Sequence, residues 1–110
     1  MHFELIRQPE LLDLVELLVD LPEAARRAGD QGIIVEIYGD RAYEVEFANA
    51  EGETLALQAL EPEQFLVIWQ NSTKTWVPLG DRIAALLQTL PTDKQQQVLS
   101  FARSLQQTAP

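Results

Sequence analysis

The 110-residue sequence contains no cysteine and a single histidine. Without thiols there is no disulfide framework, no thiolate metal site and no cysteine nucleophile. That composition fits a reducing, cytoplasmic setting. His2 stands alone near the start, which leaves no Ser/His/Asp triad and no histidine metal cluster. Basic residues are scarce: 8 Lys and Arg stand against 17 Asp and Glu, for a net charge of −9. Nucleic-acid affinity rests on neutralising phosphates with Lys and Arg, so direct nucleic-acid binding is not expected. No apolar run approaches the ~20 residues that span a bilayer, and Met1-His2-Phe3-Glu4 lacks the basic-then-apolar grammar of a secretory leader. No membrane is expected, and the sequon Asn71-Ser72-Thr73 reads as incidental. There is no glycine-rich phosphate loop; Gly29 and Gly32 around Asp30-Gln31 are expected to serve turn geometry.

What is present is a hydrophobic content of 46%, enough for a packed core. Residues 33–38 and 43–47 are rich in β-branched and aromatic side chains and flank Gly39-Asp40-Arg41-Ala42, which predicts a tight β-hairpin. In the second run Tyr43, Val45 and Phe47 share one face, and Glu44 and Glu46 the other. Residues 49–53 form a turn with Gly52 free to take positive φ. A strand follows over 54–60, where Leu55, Leu57 and Ala59 alternate with Ala56 and Gln58. Pro62 opens a single helical turn, and 65–69 is a fully apolar strand. A second hairpin, 66–70 turning into 75–78, is expected because Trp69 and Trp76 flank a polar segment. The run 11–21 fits a helix face or a short buried strand; Pro22 ends it in either case.

Past Gly80 the pattern becomes helical. Asp81 is placed to cap a helix over 82–89 with Ile83, Leu86, Leu87 and Leu90 on one side. After Pro91, Thr92-Asp93-Lys94-Gln95 has the form of a capping box. It opens a second helix to about residue 106, striped by Val98, Phe101, Ala102 and Leu105.

Charge divides along the chain. Residues 1–70 hold 15 acids and four bases; residues 71–110 hold two acids and four bases. The acidic part either keeps the surface soluble or fits a basic protein partner. Glu44 and Glu46, with Glu36 on the partner strand, could in principle serve as acid and base or hold a divalent ion. A solvated sheet face is the plainer reading. The aromatics Tyr38, Tyr43, Phe47, Phe65, Trp69 and Trp76 close a core or line a peptide groove. Two short helices bury one stripe each, so their remaining apolar surface meets the sheet, a second copy or another protein.

Residues 13–23, 28–38, 42–47 and 52–57, in this order and spacing, resemble a small bacterial domain family of unknown function whose members are SH3-like β-barrels. The resemblance implies a first strand over 14–20 and a long loop over 22–28. Gly29-Asp30-Gln31-Gly32 and the following Val35 also look like a KOW-type element. The tail, Leu90-Pro91 through Gln95, Val98-Leu99 and Phe101, is similar to helical segments of bacterial antitoxin-like proteins. The resulting expectation is mainly β with an α appendage: an SH3-like barrel over 1–70, then an αα-hairpin within 71–110. The expected function is non-enzymatic: an antitoxin- or immunity-like module that neutralises or regulates a basic partner such as a toxin or enzyme. Its expected contacts are Glu36, Glu44, Glu46, Glu51 and Glu53 on the barrel, with Trp76, Phe101 and Leu105 on the tail. No cofactor is implied. The alternative is a structural subunit that forms a homodimer or larger oligomer through its helices. A hydrolase using the glutamates is a third reading, and it requires glutamate-dependent turnover.

Overall fold

The computed structural model describes residues 8–107. The fold is mostly β: one open, antiparallel, six-stranded sheet followed by two helices. The strands are β1 (Leu14–Leu17), β2 (Gln31–Ile37), β3 (Tyr43–Ala48), β4 (Thr54–Leu60), β5 (Phe65–Gln70) and β6 (Thr75–Trp76). They lie in the order β4-β3-β2-β1-β5-β6, so β4 and β6 are the edges.

The ambiguous run at 11–21 resolves as the short strand β1. Val15 and Leu17 are buried while Leu14 and Glu16 are half-buried, which is the period of two that a strand produces. β1 is four residues long and ends before residue 20, shorter than the expected 14–20. Pro22–Ala24 then makes one 3₁₀ turn, closed by a bridge between Leu21 and Arg26. The hairpin of β5 and β6 pairs Trp69 with Trp76 and Gln70 with Thr75, so the sheet continues past residue 70.

Three ladder irregularities, at β1/β5, β2/β3 and β3/β4, each set one extra residue against the partner strand. Such bulges increase local twist and bend the sheet around its core. That core contains Val15, Leu17, Ile34, Tyr43, Val45, Phe47, Leu60 and Phe65. Tyr43 and Phe65 meet edge to face at 5.5 Å, a favoured aromatic geometry. Gly29 does take a positive φ, at 96°. Gly32 serves a different purpose from the expected turn. It is buried inside β2, where a Cβ would lie 2.6 Å from Val45 Cγ1 and 2.9 Å from the Glu46 carbonyl oxygen.

The helices are α1 (Leu79–Gln88) and α2 (Thr92–Gln106). Neither expected cap forms. Pro78 is the N-cap of α1, which places Asp81 inside the first turn. Pro91 is the N-cap of α2, so Thr92 is already helical. Gln95 acts elsewhere: its Nε2 donates to the carbonyls of Leu87 (2.8 Å) and Leu90 (3.1 Å). The Leu87 carbonyl lies in the last turn of α1 and also accepts from the Leu90 amide at 3.1 Å; Leu90 lies two residues past the end of that helix. α1 packs on β5, and Arg82 Nε donates to the Val77 carbonyl at 2.8 Å.

Candidate functional site

Pairing between β2, β3 and β4 decides which side chains face outward. Ile33 is opposite Glu46, Glu36 opposite Glu44, Glu44 opposite Ala59 and Glu46 opposite Leu57. Directly opposed residues share a face, so Glu36, Glu44 and Glu46 form one acidic group on the outer side. The structure mixes apolar side chains into that group. Ile33 is exposed, and Leu55 and Leu57 are 50% and 51% exposed. The inner side of the same strands holds Ile34, Tyr43, Val45, Phe47 and Leu60.

The two like charges at Glu36 and Glu44 oppose each other directly, which disfavours the pairing by itself. Local donors offset this. The Tyr38 hydroxyl donates to Glu44 Oε1 at 2.6 Å, and the Thr54 hydroxyl donates to Glu46 Oε2. The hydrogen bond to Glu44 raises the Tyr38 phenol above its ordinary pKa, with smaller contributions from desolvation and the charges of Glu44 and Glu36.

Glu51 and Glu53 lie at the end of this face, in the turn between β3 and β4. Asn49 organises that turn: its Oδ1 accepts from the Glu51 and Glu53 amides, and its Nδ2 donates to Glu53 Oε1 at 2.8 Å. Trp76 belongs to the opposite edge, on β6, and is 61% exposed. Phe101 and Leu105 lie on α2, with Phe101 66% exposed. The expected site residues thus fall into three places: one acidic sheet face with its turn, the β6 edge, and α2. The aromatic set divides as well. Tyr43, Phe47 and Phe65 are in the core, whereas Tyr38 and Trp76 face solvent.

Trp76, with Tyr43 and Phe65 of the same aromatic set, lines a groove of about 890 Å³. Its walls are the polar side of α1 (Asp81, Arg82, Gln88), the end of β5 and β6, and the turns carrying Arg41 and Glu63. Arg41 and Glu63 form an ion pair at 2.7 Å. That contact, chiefly its hydrogen bond, holds the Glu63 carboxyl below the ordinary range and Arg41 above it. Asp13 sits at the back of the groove, 2% exposed. It accepts from the Glu10 and Asn71 amides, both at 2.9 Å. Asp13 therefore ties the segment before β1 to the turn after β5, and nothing in its sequence context distinguished it from the other acids.

Among the described residues, no group of three His, Cys, Asp or Glu side chains could hold a metal ion. His2 lies outside them. No helix among the described residues is long and apolar enough to cross a membrane.

Comparison with curated proteins and with solved structures finds no match. A family model for a domain of unknown function, DUF4926, matches residues 11–67. That span runs from just before β1 into β5 and includes the whole acidic face. The chain belongs to the DUF4926 family.

Proposed function

We propose that this protein is a non-enzymatic interaction module, antitoxin- or immunity-like, that docks a basic protein on the outer face of β2, β3 and β4. The observation that carries this reading is the register. It sets Glu36, Glu44 and Glu46 around exposed Ile33 and Leu57, with Leu55 beside them. An apolar centre rimmed by charge of one sign is the anatomy of a docking surface. Complementary charge on a partner would speed and select the encounter. The three ladder irregularities, of a kind that bends strands, support reading the sheet as an SH3-like barrel. The two helices, read as an αα-hairpin, present exposed Phe101 with Lys94 on the same side of α2 as a second contact.

The test is affinity capture from bacterial lysate with the full chain and with Glu44→Lys/Glu46→Lys, at low and high salt. The reading predicts one stoichiometric basic protein on the full chain, released by salt and lost from the double variant. A captured protein indifferent to both salt and the charge reversal would overturn it.

A further inference from the structure

We infer that the outer edge of β4 is a strand-addition site for an extended segment, apolar at alternate positions and flanked by Lys or Arg. The inference rests on the reading of the neighbouring sheet face as a docking surface for a basic protein, and it names the part of that protein which attaches and how.

β4 is an edge of the sheet, and among the described residues it pairs only with β3. An edge strand leaves a row of backbone N–H and C=O groups with which a further strand can pair. Such edges are commonly blunted by charge, by proline or by brevity. β4 is seven residues long and contains neither a charged residue nor a proline. Its one irregularity lies near its start, where Leu55 is the extra residue, and it leaves 56–60 in unbroken register with 43–47. The opposite edge, β6, is two residues long, too short to hold an added strand.

Charge selects the occupant. Acids stand at both ends of the uncharged strand, Glu51 and Glu53 before it and Glu61 and Glu63 after it. Glu51, Glu53 and Glu61 are exposed, whereas Glu63 is paired with Arg41. A second copy of β4, paired antiparallel across a twofold axis, would meet acid with acid. Centred on Leu57 it sets Glu53 opposite Glu61; centred on Ala56 it sets Glu51 opposite Glu61, and centred on Gln58 it sets Glu53 opposite Glu63. Like charges directly opposed destabilise a strand pair, and opposite charges stabilise it. A segment with Lys or Arg at each end therefore fits where a second copy does not. Between those ends, alternate side chains of the segment lie beside Leu57 and Ala59, both exposed on the outer face, so apolar residues suit these positions. Backbone pairing supplies the affinity of such an attachment, and the alternating side chains supply its specificity. The added strand extends the docking face beyond Leu55 and Leu57, so one basic protein contacts both.

Amide hydrogen exchange of the full chain tests the inference, with and without the synthetic peptide Lys-Lys-Thr-Val-Thr-Val-Thr-Lys-Lys. The peptide should slow exchange at alternate amides within 56–60, and raised salt should weaken it. Methylating alternate backbone nitrogens of the peptide should weaken binding about tenfold or more for one alternate set and little for the other, because only one set of N–H groups faces β4. That comparison uses the wild-type chain throughout. Glu53→Gln/Glu61→Gln should weaken binding severalfold, and a peptide with Glu in place of its lysines should not bind. Unchanged exchange in β4 at millimolar peptide, or equal effects of the two methylation sets, overturns the inference. A wild-type dimer whose β4 amides are already protected overturns it too. A basic protein captured through Glu44 and Glu46 that leaves β4 exchange unchanged removes strand addition and leaves the docking face standing. Protection of β4 by the peptide, with no basic protein captured from lysate, keeps the strand-addition site and removes the earlier reading.

Discussion

At Gly32 the sheet leaves no room for a side chain. Val45 and the Glu46 backbone stand where a Cβ would sit, and the backbone atom cannot yield cheaply. Gly32→Ala should lower stability by about 1–3 kcal/mol in a urea titration. Asp13 is the second residue on which the fold depends. Its carboxylate accepts from two amides, the further of them 58 positions away in sequence. Asp13→Ala should cost about 1–2 kcal/mol, because two part-buried amides lose their acceptor. Asp13→Asn keeps one acceptor oxygen and should cost less. Tyr38 reports on the acidic face itself. The neutral phenol is the form that donates to Glu44, so its folded pKa lies above its unfolded one. That contribution to stability is present below the unfolded pKa and is lost as pH rises through the folded pKa. The chain has two tyrosines, and both are raised, Tyr43 chiefly by burial. In an ultraviolet titration, Glu44→Gln should move the Tyr38 transition down and leave the Tyr43 transition in place.

At the scale of elements, the junction of α1 and α2 separates two accounts of the same motif. Thr92 and Gln95 have the spacing of a capping box, but the N-cap lies one residue earlier, at Pro91. Gln95 is released to bind the end of α1. Gln95→Ala should therefore speed amide exchange at the end of α1 and cost about 1 kcal/mol. Thr92→Ala should change little, whereas a capping box would make both changes costly. The strands were largely legible because alternation is a strong local signal: Tyr43, Val45 and Phe47 are buried as their period of two requires. The parity of β4 was not legible. Leu55 and Leu57 are more apolar than Ala56 and Gln58, yet Ala56 packs against the core. The reason is cross-strand: Ala56 is opposite bulky Phe47, and Leu60 is opposite Tyr43. Register with a neighbouring strand is long-range information that composition does not carry.

For the whole molecule, that same register turns leucines outward and converts an acidic sheet face into an acidic and apolar one. The glutamates were visible in the sequence as a face; the leucines among them were not. Of the groove between α1 and the β6 edge only the aromatics Tyr43, Phe65 and Trp76 were visible, since it joins segments from 8 to 89 that no local pattern connects. Leu57→Ser should leave stability within about 0.5 kcal/mol, as expected for a half-exposed position, while weakening partner capture. A residue kept only for the fold would show the reverse.

The most direct measurement of the docking face is methyl shift mapping by NMR. The full chain, labelled at Ile, Leu and Val methyls, is titrated with the captured basic protein. The largest shifts should fall on Ile33, Leu55 and Leu57, with the Val45 methyls of the inner side changing little. Shifts confined to Leu66, Val67 and Val77, which line the groove beside Trp76, would contradict the account and place binding at the opposite edge of the sheet.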